Sequence, residues 1–212
     1  MVCTRCKAPM KWLDRVGKHY QPIFGFVEEY VEKGKIKRER VDGFKKILGT
    51  ILGHCGDVGG KSFLDVGSNL GYFCLELANR GASVIGVERD GRRTGVAKCL
   101  AEHARLDEAA FHGGDVLAFI EDNDDRYDYV ILLNVFHHIL LQDEERGWVM
   151  FNKLLASSNG VFVMMRNSLK SWKLCDNKAQ IPLAVLEASD ATGFVAYPAV
   201  HGRVIYFFYK QP

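Results

Sequence analysis

The sequence has no long hydrophobic run. No stretch reaches the roughly 18 consecutive apolar residues that a membrane-spanning helix needs. The first residues, MVCTRCKAPMKWLD, also lack the apolar core of a secretory signal peptide. These absences argue against a membrane span and predict a cytoplasmic protein.

The chain also has little net charge. Its formal charge of +2 at pH 7 does not by itself indicate a polyanionic partner. Seven basic residues do gather between positions 32 and 46, where they could steer RNA, but a solvated helix face is the favoured interpretation because no aromatic platform accompanies them. RNA is therefore a possible partner that the sequence does not favour. The basic residues are Lys33, Lys35, Lys37, Arg38, Arg40, Lys45 and Lys46.

Cysteines in metal-binding patterns are scarce. Cys3 and Cys6 form a single CxxC pair, to which His19 could add a third ligand, but no second pair completes a tetrahedral set. We therefore predict no metal site and prefer to interpret the pair as part of a frayed terminus. The other cysteines lie mostly in apolar segments, which suggests a reducing compartment. They are Cys55, Cys74, Cys99 and Cys175.

The sequence does contain an alternation of short apolar strands and amphipathic helices. Apolar residues at three- and four-residue steps predict a helix over 40–52. The segments SFLDVG, ASVIGVE, AAFH, DYVILLN and GVFVMMR follow as strands with helical segments between them. This order predicts an α/β doubly wound domain with a mostly parallel sheet and helices on both faces. At the end, GFVAYP and RVIYFFYK predict a terminal antiparallel pair, for seven strands in all.

The 212 residues fit one domain of ordinary size. We place this domain at 41–212, behind an N-terminal segment at 1–40 that forms part of a cap over cofactor or substrate. Trp172, Tyr197 and His201 lie in or beside the tail that would wall the acceptor pocket, and core packing explains Trp172 equally well.

The stretch FLDVGSNLGYF carries the candidate cofactor loop. Gly67 and Gly71 let the backbone pass close to a ligand, and Asn69 tolerates the left-handed conformation. Because Asn69 and Tyr72 stand where a dinucleotide-binding loop has glycines, this loop would crowd a diphosphate. Asp65, just before the loop, suits a cofactor that carries an amino group and a sulfonium.

Glu88 ends the next predicted strand, 17 residues after Gly71. An acidic side chain at this point can accept hydrogen bonds from both hydroxyls of a ribose. Since NAD and S-adenosylmethionine both contain a ribose, Glu88 alone does not decide between them.

In these segments, from about Val41 to Tyr209, the sequence resembles the class I S-adenosylmethionine-dependent methyltransferases. DVGSNLGYF is similar to their first motif, VIGVE to the strand with the ribose-binding acid, GGDV to the adenine loop, and YDYVILLNVFHHIL to the fourth strand and its active-site end. The resemblance implies a Rossmann-like methyltransferase fold with S-adenosyl-L-methionine as cofactor. The cofactor-binding residues that it implies are Asp65, Gly67, Ser68, Asn69 and Gly71 at the methionine part, Glu88 at the ribose, Asp115 and Val116 at the adenine, and Asn134 beside the sulfonium.

The segment NVFHHIL carries the candidate acceptor chemistry. By the resemblance it lies where the methyl group transfers, and an imidazole there can remove a proton from an acceptor or position a phosphate or carboxylate. Either His137 or His138 is therefore the candidate catalytic residue, with His137 slightly ahead. Alternatively, one histidine only packs below the strand end and caps a helix. A further alternative is a pocket that positions the acceptor without any catalytic base, because methyl transfer often needs little acid–base help.

A second, looser resemblance comes from HYQPI together with VFHHI. The two stretches are similar to the methyltransferase modules of bacterial O-antigen chain-terminating enzymes. This likeness implies that Tyr20, Gln21 and Arg40 close over the methionine end of the cofactor, with Arg40 pairing its carboxylate. The alternative is a surface segment with solvated polar side chains.

Together these features predict a methyltransferase that acts on an oxygen or nitrogen atom of a small molecule or a glycan end. Three alternatives stay open: an RNA methyltransferase guided by the basic segment, a NAD-dependent oxidoreductase, and a non-catalytic adenosine-binding domain. The sequence indicates neither the acceptor nor the oligomeric state.

Overall fold

The computed structural model describes residues 7–16, 18–165, 181–200 and 203–211. The chain forms two compact units, Met1–Val116 and Leu117–Pro212. Several residues that the sequence singles out lie outside the described ranges, so the predictions for them stay predictions. They are Cys3, Cys6, Trp172, Cys175 and His201.

The first unit alternates helices with parallel strands after an N-terminal run of helices. In its longest helix, α3, the apolar residues at three- and four-residue steps are buried. The residue after the helix is Gly56, whose φ of 68° is in the left-handed region. The elements of this unit are α1 (Lys7–Arg15), α2 (Val27–Glu32), α3 (Arg38–Cys55), β1 (Ser62–Val66), α4 (Tyr72–Ala78), β2 (Ser83–Glu88), α5 (Gly91–Ala104) and β3 (Ala109–Gly113).

The three strands of the first unit end at one edge. β2 pairs in parallel with β1 on one side and with β3 on the other. The register places Val66 opposite Val87, and Glu88 opposite Gly113. Since ligands of open α/β sheets bind outside the carboxyl ends of the strands, the loops after Val66, Glu88 and Gly113 form the ligand-binding edge of this unit.

Aromatic side chains join helix α3 to helix α4 in the first unit. The ring of Phe44 stacks on that of Phe73 with centroids 5.5 Å apart, and it meets the ring of Tyr72 edge to face at 5.6 Å. Tyr72 and Phe73 are both buried. Such pairs contribute stabilisation beyond that of the buried area alone. The start of α4, directly after the candidate cofactor loop, is therefore held by packed aromatic rings.

The second unit contains two parallel strands and an antiparallel hairpin. β4 pairs in parallel with β5, while β7 pairs antiparallel with both β5 and β6. Leu133 is opposite Met164, and Met164 is opposite Ile205, so β4 and β5 end where β7 begins. The elements are α6 (Val116–Glu121), β4 (Tyr129–Leu133), α7 (Phe136–Gln142), α8 (Glu144–Ala156), β5 (Val161–Met164), α9 (Ile181–Ala188), β6 (Gly193–Val200) and β7 (Arg203–Tyr209).

The seven strands follow the order β3-β2-β1-β4-β5-β7-β6. The predicted fold class is confirmed: the sheet is mostly parallel, helices surround it, and an antiparallel pair ends it. The sequence analysis assigns no helix to the segments that form α1, α2 and α7. The domain boundary near residue 40 stays a prediction and falls within the first turn of α3.

Within the described ranges, none of the helices combines the length and the apolar character that crossing a membrane would demand.

Candidate functional site

The loop between β1 and α4 follows a path that needs glycine or asparagine. Gly67, Asn69 and Gly71 have φ values of 75°, 56° and 77°. The backbone N–H groups of Gly67 and Ser68 donate to the carbonyl oxygen of Val87 at 2.8 and 3.1 Å, which fastens the loop to β2. Asparagine can therefore occupy the middle of the loop, since it tolerates left-handed geometry better than other side chains do.

The hydroxyl group of Ser68 lies buried in this loop without a hydrogen-bond partner among the described residues. Buried polar groups in native proteins are nearly always hydrogen-bonded, by protein, water or ligand. The Ser68 hydroxyl is thus a group that a polar ligand in the loop would satisfy.

Glu88 connects the three loops at the ligand-binding edge of the first unit. One carboxylate oxygen accepts from the backbone N–H of Asn69 at 3.0 Å, and the other accepts from that of Asp90 at 2.9 Å. The backbone oxygen of Glu88 accepts from Gly114 N–H at 3.1 Å. Each carboxylate oxygen has a second lone-pair site, so the side chain can still accept hydrogen bonds from two hydroxyls.

The candidate adenine-binding residues, Asp115 and Val116, directly follow Gly114, which is hydrogen-bonded to Glu88. Gly114 has a φ of 148°, and the next residue, Asp115, is exposed at the end of β3. Val116 is half-buried and begins α6. Because Gly114 is fastened to Glu88, the structure brings Asp115 to the same edge as the 67–71 loop.

Asp65 is buried on β1, where its Oδ2 accepts a hydrogen bond from the thiol of Cys74 at 3.3 Å. Burial raises the pKa of Asp65 to about 7; the Cys74 hydrogen bond opposes that rise, and the charge of Glu88 adds to it. The sequence analysis does not identify Cys74 as the hydrogen-bond partner of Asp65. The available signal was the position of Cys74 in the first turn of α4, just after the loop.

The raised pKa of Asp65 predicts how stability depends on pH. Between about pH 4 and pH 7 the folded chain holds this proton and the unfolded chain does not, so the free energy of unfolding falls as pH rises and levels off above pH 7. In urea titrations, wild type should lose about 1 kcal/mol per pH unit relative to Asp65→Asn across this window. Parallel pH profiles for the two proteins would show that Asp65 is ionised throughout.

Gln21 joins the N-terminal segment to the cofactor loop. Its side chain is buried, and its Oε1 accepts from the backbone N–H groups of Leu70 and Tyr72 at 3.1 and 3.4 Å. These amides lie at the start of α4, where the backbone N–H groups of a helix have no partner within the helix itself. Gln21 therefore caps α4, and this bracing role is one that sequence reasoning missed.

Tyr20 and Arg40 lie together beside this brace. The Arg40 guanidinium is 5.2 Å from the centroid of the Tyr20 ring, whose edge meets Phe44 with ring centroids 5.8 Å apart. Both residues are exposed, and Arg40 forms no salt bridge with any described residue. The pair thus offers a cation and an aromatic face at the surface of the first unit.

In the second unit, Asn134 directly follows β4 and has a left-handed conformation with a φ of 59°. Its backbone N–H donates to the carbonyl oxygen of Met164 at 2.6 Å, and its Oδ1 accepts from Nη1 of Arg203 at 2.8 Å. Sequence reasoning missed Arg203. The available signal was its place as the first residue of RVIYFFYK, because an antiparallel strand begins at the edge where its parallel neighbours end.

The two candidate catalytic histidines have different environments. His137 is buried in the first turn of α7, whereas His138 is exposed. Their ring centroids are 4.1 Å apart. Phe136, next to them, is buried and stacks on Phe151 at 4.9 Å, so the start of α7 is fixed against α8. The preference for His137 as the catalytic residue stays a prediction, and exposure favours His138.

Comparison with known proteins adds the family. A family profile described as a methyltransferase domain matches residues 57–188, which include the 67–71 loop, Glu88, Asp115, Asn134 and both histidines. The chain belongs to this methyltransferase family.

Curated relatives of this methyltransferase include two bacterial enzymes. It is 30% identical over 131 residues to the O-antigen chain terminator bifunctional methyltransferase/kinase WbdD of Escherichia coli, matching 57% of this chain and 17% of that protein. It is 28% identical over 86 residues to the ubiquinone biosynthesis O-methyltransferase of Acinetobacter baylyi, matching 41% of this chain and 36% of that protein. The methyltransferase therefore spans less than half the length of either relative.

Solved structures show the same fold. A crystal structure of WbdD superposes with a TM-score of 0.74 at 20% identity, over 96% of this methyltransferase and 47% of that chain. Magnesium protoporphyrin IX methyltransferase ChlM from Synechocystis, solved with bound SAM, superposes with a TM-score of 0.60 at 18% identity, over 96% and 92% of the two chains. The Rossmann-like methyltransferase fold is thus confirmed.

The family match shows a methyltransferase domain, and the NAD-dependent alternative is not supported. ChlM was solved with bound SAM, which is the cofactor that the sequence predicts for this chain. Two observations indicate that the residues of the first unit suit this cofactor. The buried Ser68 hydroxyl has no hydrogen-bond partner among the described residues, so a polar ligand could supply one. Burial raises the pKa of the Asp65 carboxyl to about 7, and a nearby cation would stabilise its charged form.

Proposed function

We propose that this methyltransferase transfers the methyl group of S-adenosyl-L-methionine to an oxygen or nitrogen atom of a small molecule or of a glycan end. The observation that carries the proposal is the convergence on Glu88, where Asn69, Asp90 and Gly114 all donate backbone hydrogen bonds. One acid thereby fixes three loops at the edge of the sheet where such folds bind ligands.

The first unit supplies the cofactor-binding residues of the proposal. The free lone pairs of Glu88 accept hydrogen bonds from the two ribose hydroxyls, and Asp115 with Val116 borders the adenine. The 67–71 loop and Asp65 hold the methionine part, where ionised Asp65 favours a positive charge. At the exposed Tyr20–Arg40 pair, the guanidinium binds a carboxylate.

The second unit supplies the candidate acceptor residues. When bound, the cofactor presents an electrophilic methyl group on a sulfonium. A hydroxyl or amine acceptor must lose a proton as its oxygen or nitrogen takes the methyl group, and a neutral imidazole can accept that proton. The exposed side chain of His138 suits this role better than the buried side chain of His137.

The name of one relative supports an oxygen acceptor, because the Acinetobacter protein is described as an O-methyltransferase. WbdD is described as an O-antigen chain terminator, which refers to a glycan and not to the acceptor atom. One name refers to a glycan and the other to the biosynthesis of a small molecule, so both acceptor classes stay within the proposal.

Glu88→Gln tests the cofactor site. The substitution keeps the size of the side chain and removes its charge, so S-adenosylhomocysteine should bind about 1–3 kcal/mol more weakly in calorimetry, through lost charge-assisted hydrogen bonds. Glu39→Gln, at an exposed position in α3, serves as the matched control and should leave the affinity unchanged. An equal affinity for wild type and Glu88→Gln would show that the ribose site lies elsewhere.

The acceptor class is tested with cofactor that carries a labelled methyl group. Wild-type enzyme is incubated with cell extract separated into small-molecule, glycan, protein and RNA fractions, with heat-denatured enzyme as control. Label in the small-molecule or glycan fraction is the expected result. Label confined to RNA would overturn the proposed acceptor class and favour the basic segment at 32–46 as a guide.

A further inference from the structure

The registers of three strands bring two distant residues together in the second unit. Leu133 of β4 is opposite Met164 of β5, and Met164 is opposite Ile205 of β7. Asn134 follows the first of these residues, and Arg203 precedes the last by two positions. Their side chains meet across the end of β5, where Arg203 Nη1 donates to Asn134 Oδ1 at 2.8 Å.

Arg203 is a half-buried cation whose described partner is neutral. The Asn134 amide accepts one of its hydrogen bonds, and no carboxylate of the described residues forms a salt bridge with it. The contrast within the same unit is Arg146, which donates to both carboxylate oxygens of Glu121 although it is exposed. Arg203 therefore has less exposure to water than Arg146 and less compensation for its charge.

Physical chemistry assigns the missing partner of such a group. A guanidinium has five N–H donors in a planar fork, of which the Asn134 bond uses one. Removing a charge from water is unfavourable unless it is paired, and the fork matches the oxygens of a phosphate or a carboxylate. An oxyanion placed against the remaining donors of Arg203 would supply both the charge and the hydrogen bonds.

The position of Arg203 connects it with the acceptor. It stands at the edge where β4 and β5 end, which is where open α/β sheets bind their ligands, and α7 with the exposed His138 begins two residues after Asn134. We propose that Arg203, oriented by Asn134, binds an oxyanion of the methyl acceptor, so that the acceptor carries a phosphate or a carboxylate group. This inference rests on the proposed function.

A purely structural role for Arg203 makes a different prediction. If the side chain only held Asn134 in its left-handed conformation, its loss would weaken the binding of charged and neutral acceptor analogues equally. If it binds an oxyanion, its loss weakens only the charged ones. Comparing matched charged and neutral probes therefore separates the two roles.

The experiment measures binding to the full chain saturated with S-adenosylhomocysteine, by calorimetry. The probes are glucose 6-phosphate, glucuronate and glucose, which distinguish a phosphate from a carboxylate and both from a neutral sugar. The variants are Arg203→Gln and Arg203→Lys. Arg126→Gln is the matched control, because Arg126 is exposed in the same unit and also donates to a neutral partner, the carbonyl oxygen of Ala156.

The proposal expects wild type to bind at least one anionic probe about tenfold more tightly than glucose or better, the scale of one charge-assisted pair. Arg203→Gln should remove that preference, Arg203→Lys should keep part of it, and Arg126→Gln should keep all of it. Wild type without a preference, or Arg203→Gln with the full one, would overturn the proposal. Failure of wild type to bind S-adenosylhomocysteine would instead count against the cofactor site of the proposed function.

Discussion

Replacing Gly71 with alanine is expected to lower the free energy of unfolding by about 2–5 kcal/mol, the sum of a left-handed alanine and an overpacked contact. The φ of Gly71 is 77°, a conformation that alanine adopts only with strain. Its Cβ would also lie 2.7 Å from the ring of Phe111 and 3.1 Å from the Cβ of Ala97. Urea denaturation followed by fluorescence measures the loss.

The same substitution should also weaken cofactor binding. Gly71 ends the 67–71 loop and precedes α4, so a shift that relieves the contact with Phe111 moves the Gln21 cap and the Asn69 bond to Glu88. S-adenosylhomocysteine should then bind at least about tenfold more weakly, since one displaced charged hydrogen bond costs that much.

Gly49→Ala is the control for Gly71→Ala. Gly49 lies in the interior of α3, and a Cβ there would meet no atom within 4 Å. Alanine at this point should raise the free energy of unfolding by about 0.5–1 kcal/mol and leave cofactor affinity unchanged. If Gly71→Ala behaved like Gly49→Ala, the described path of the loop would be incorrect.

Gly160→Ala should destabilise the second unit by about 3 kcal/mol or more, at the upper end of what overpacking costs. An added Cβ would lie 2.2 Å from the ring of Phe207 and 2.6 Å from the backbone oxygen of Phe208. Both phenylalanines are buried in β7. The carbonyl oxygen of Gly160 also accepts from Val130 N–H at 3.1 Å, so a backbone shift that relieves the contact strains the pairing of β4 with β5.

Gly193→Ala provides the comparison for Gly160→Ala. The atoms nearest to its added Cβ belong to the end of the Tyr209 side chain, with the hydroxyl oxygen at 2.5 Å. Tyr209 is half-buried and can turn away, whereas the backbone beside Gly160 cannot. Thermal denaturation should therefore show a much larger loss for Gly160→Ala, and equal losses would contradict the described packing of β7 on β5.

Local features of the site could be predicted from the sequence. The left-handed loop, its position after a buried strand and the acid at the end of the next strand all depend on residues within a short stretch. Asn69 and Glu88, for example, are identified by their neighbours, and they prove to be bonded to each other. In the same way, the alternation of strands and helices predicts the sheet and its antiparallel end.

Contacts between distant residues could not be predicted in this way. Gln21 accepts a hydrogen bond from Leu70, which lies 49 positions later in the sequence. Arg203 donates a hydrogen bond to Asn134, which lies 69 positions earlier. Such pairs depend on strand register and on how a segment folds back, neither of which leaves a local pattern. For that reason the sequence identifies Gln21 as a polar residue near the cofactor but not as the cap of α4, and it does not identify Arg203.

The three hydrogen bonds around Glu88 have a consequence for protein engineering. A loop from another methyltransferase, grafted after β1 alone, would keep the hydrogen bond to the Glu88 carboxylate only if its backbone followed the same left-handed path at position 69. The loops after β2 and β3 would meanwhile keep their own hydrogen bonds to Glu88. The three loops and the acid therefore form one transplantable cassette. Chimeras that exchange cofactor or substrate preference should move this cassette as a whole.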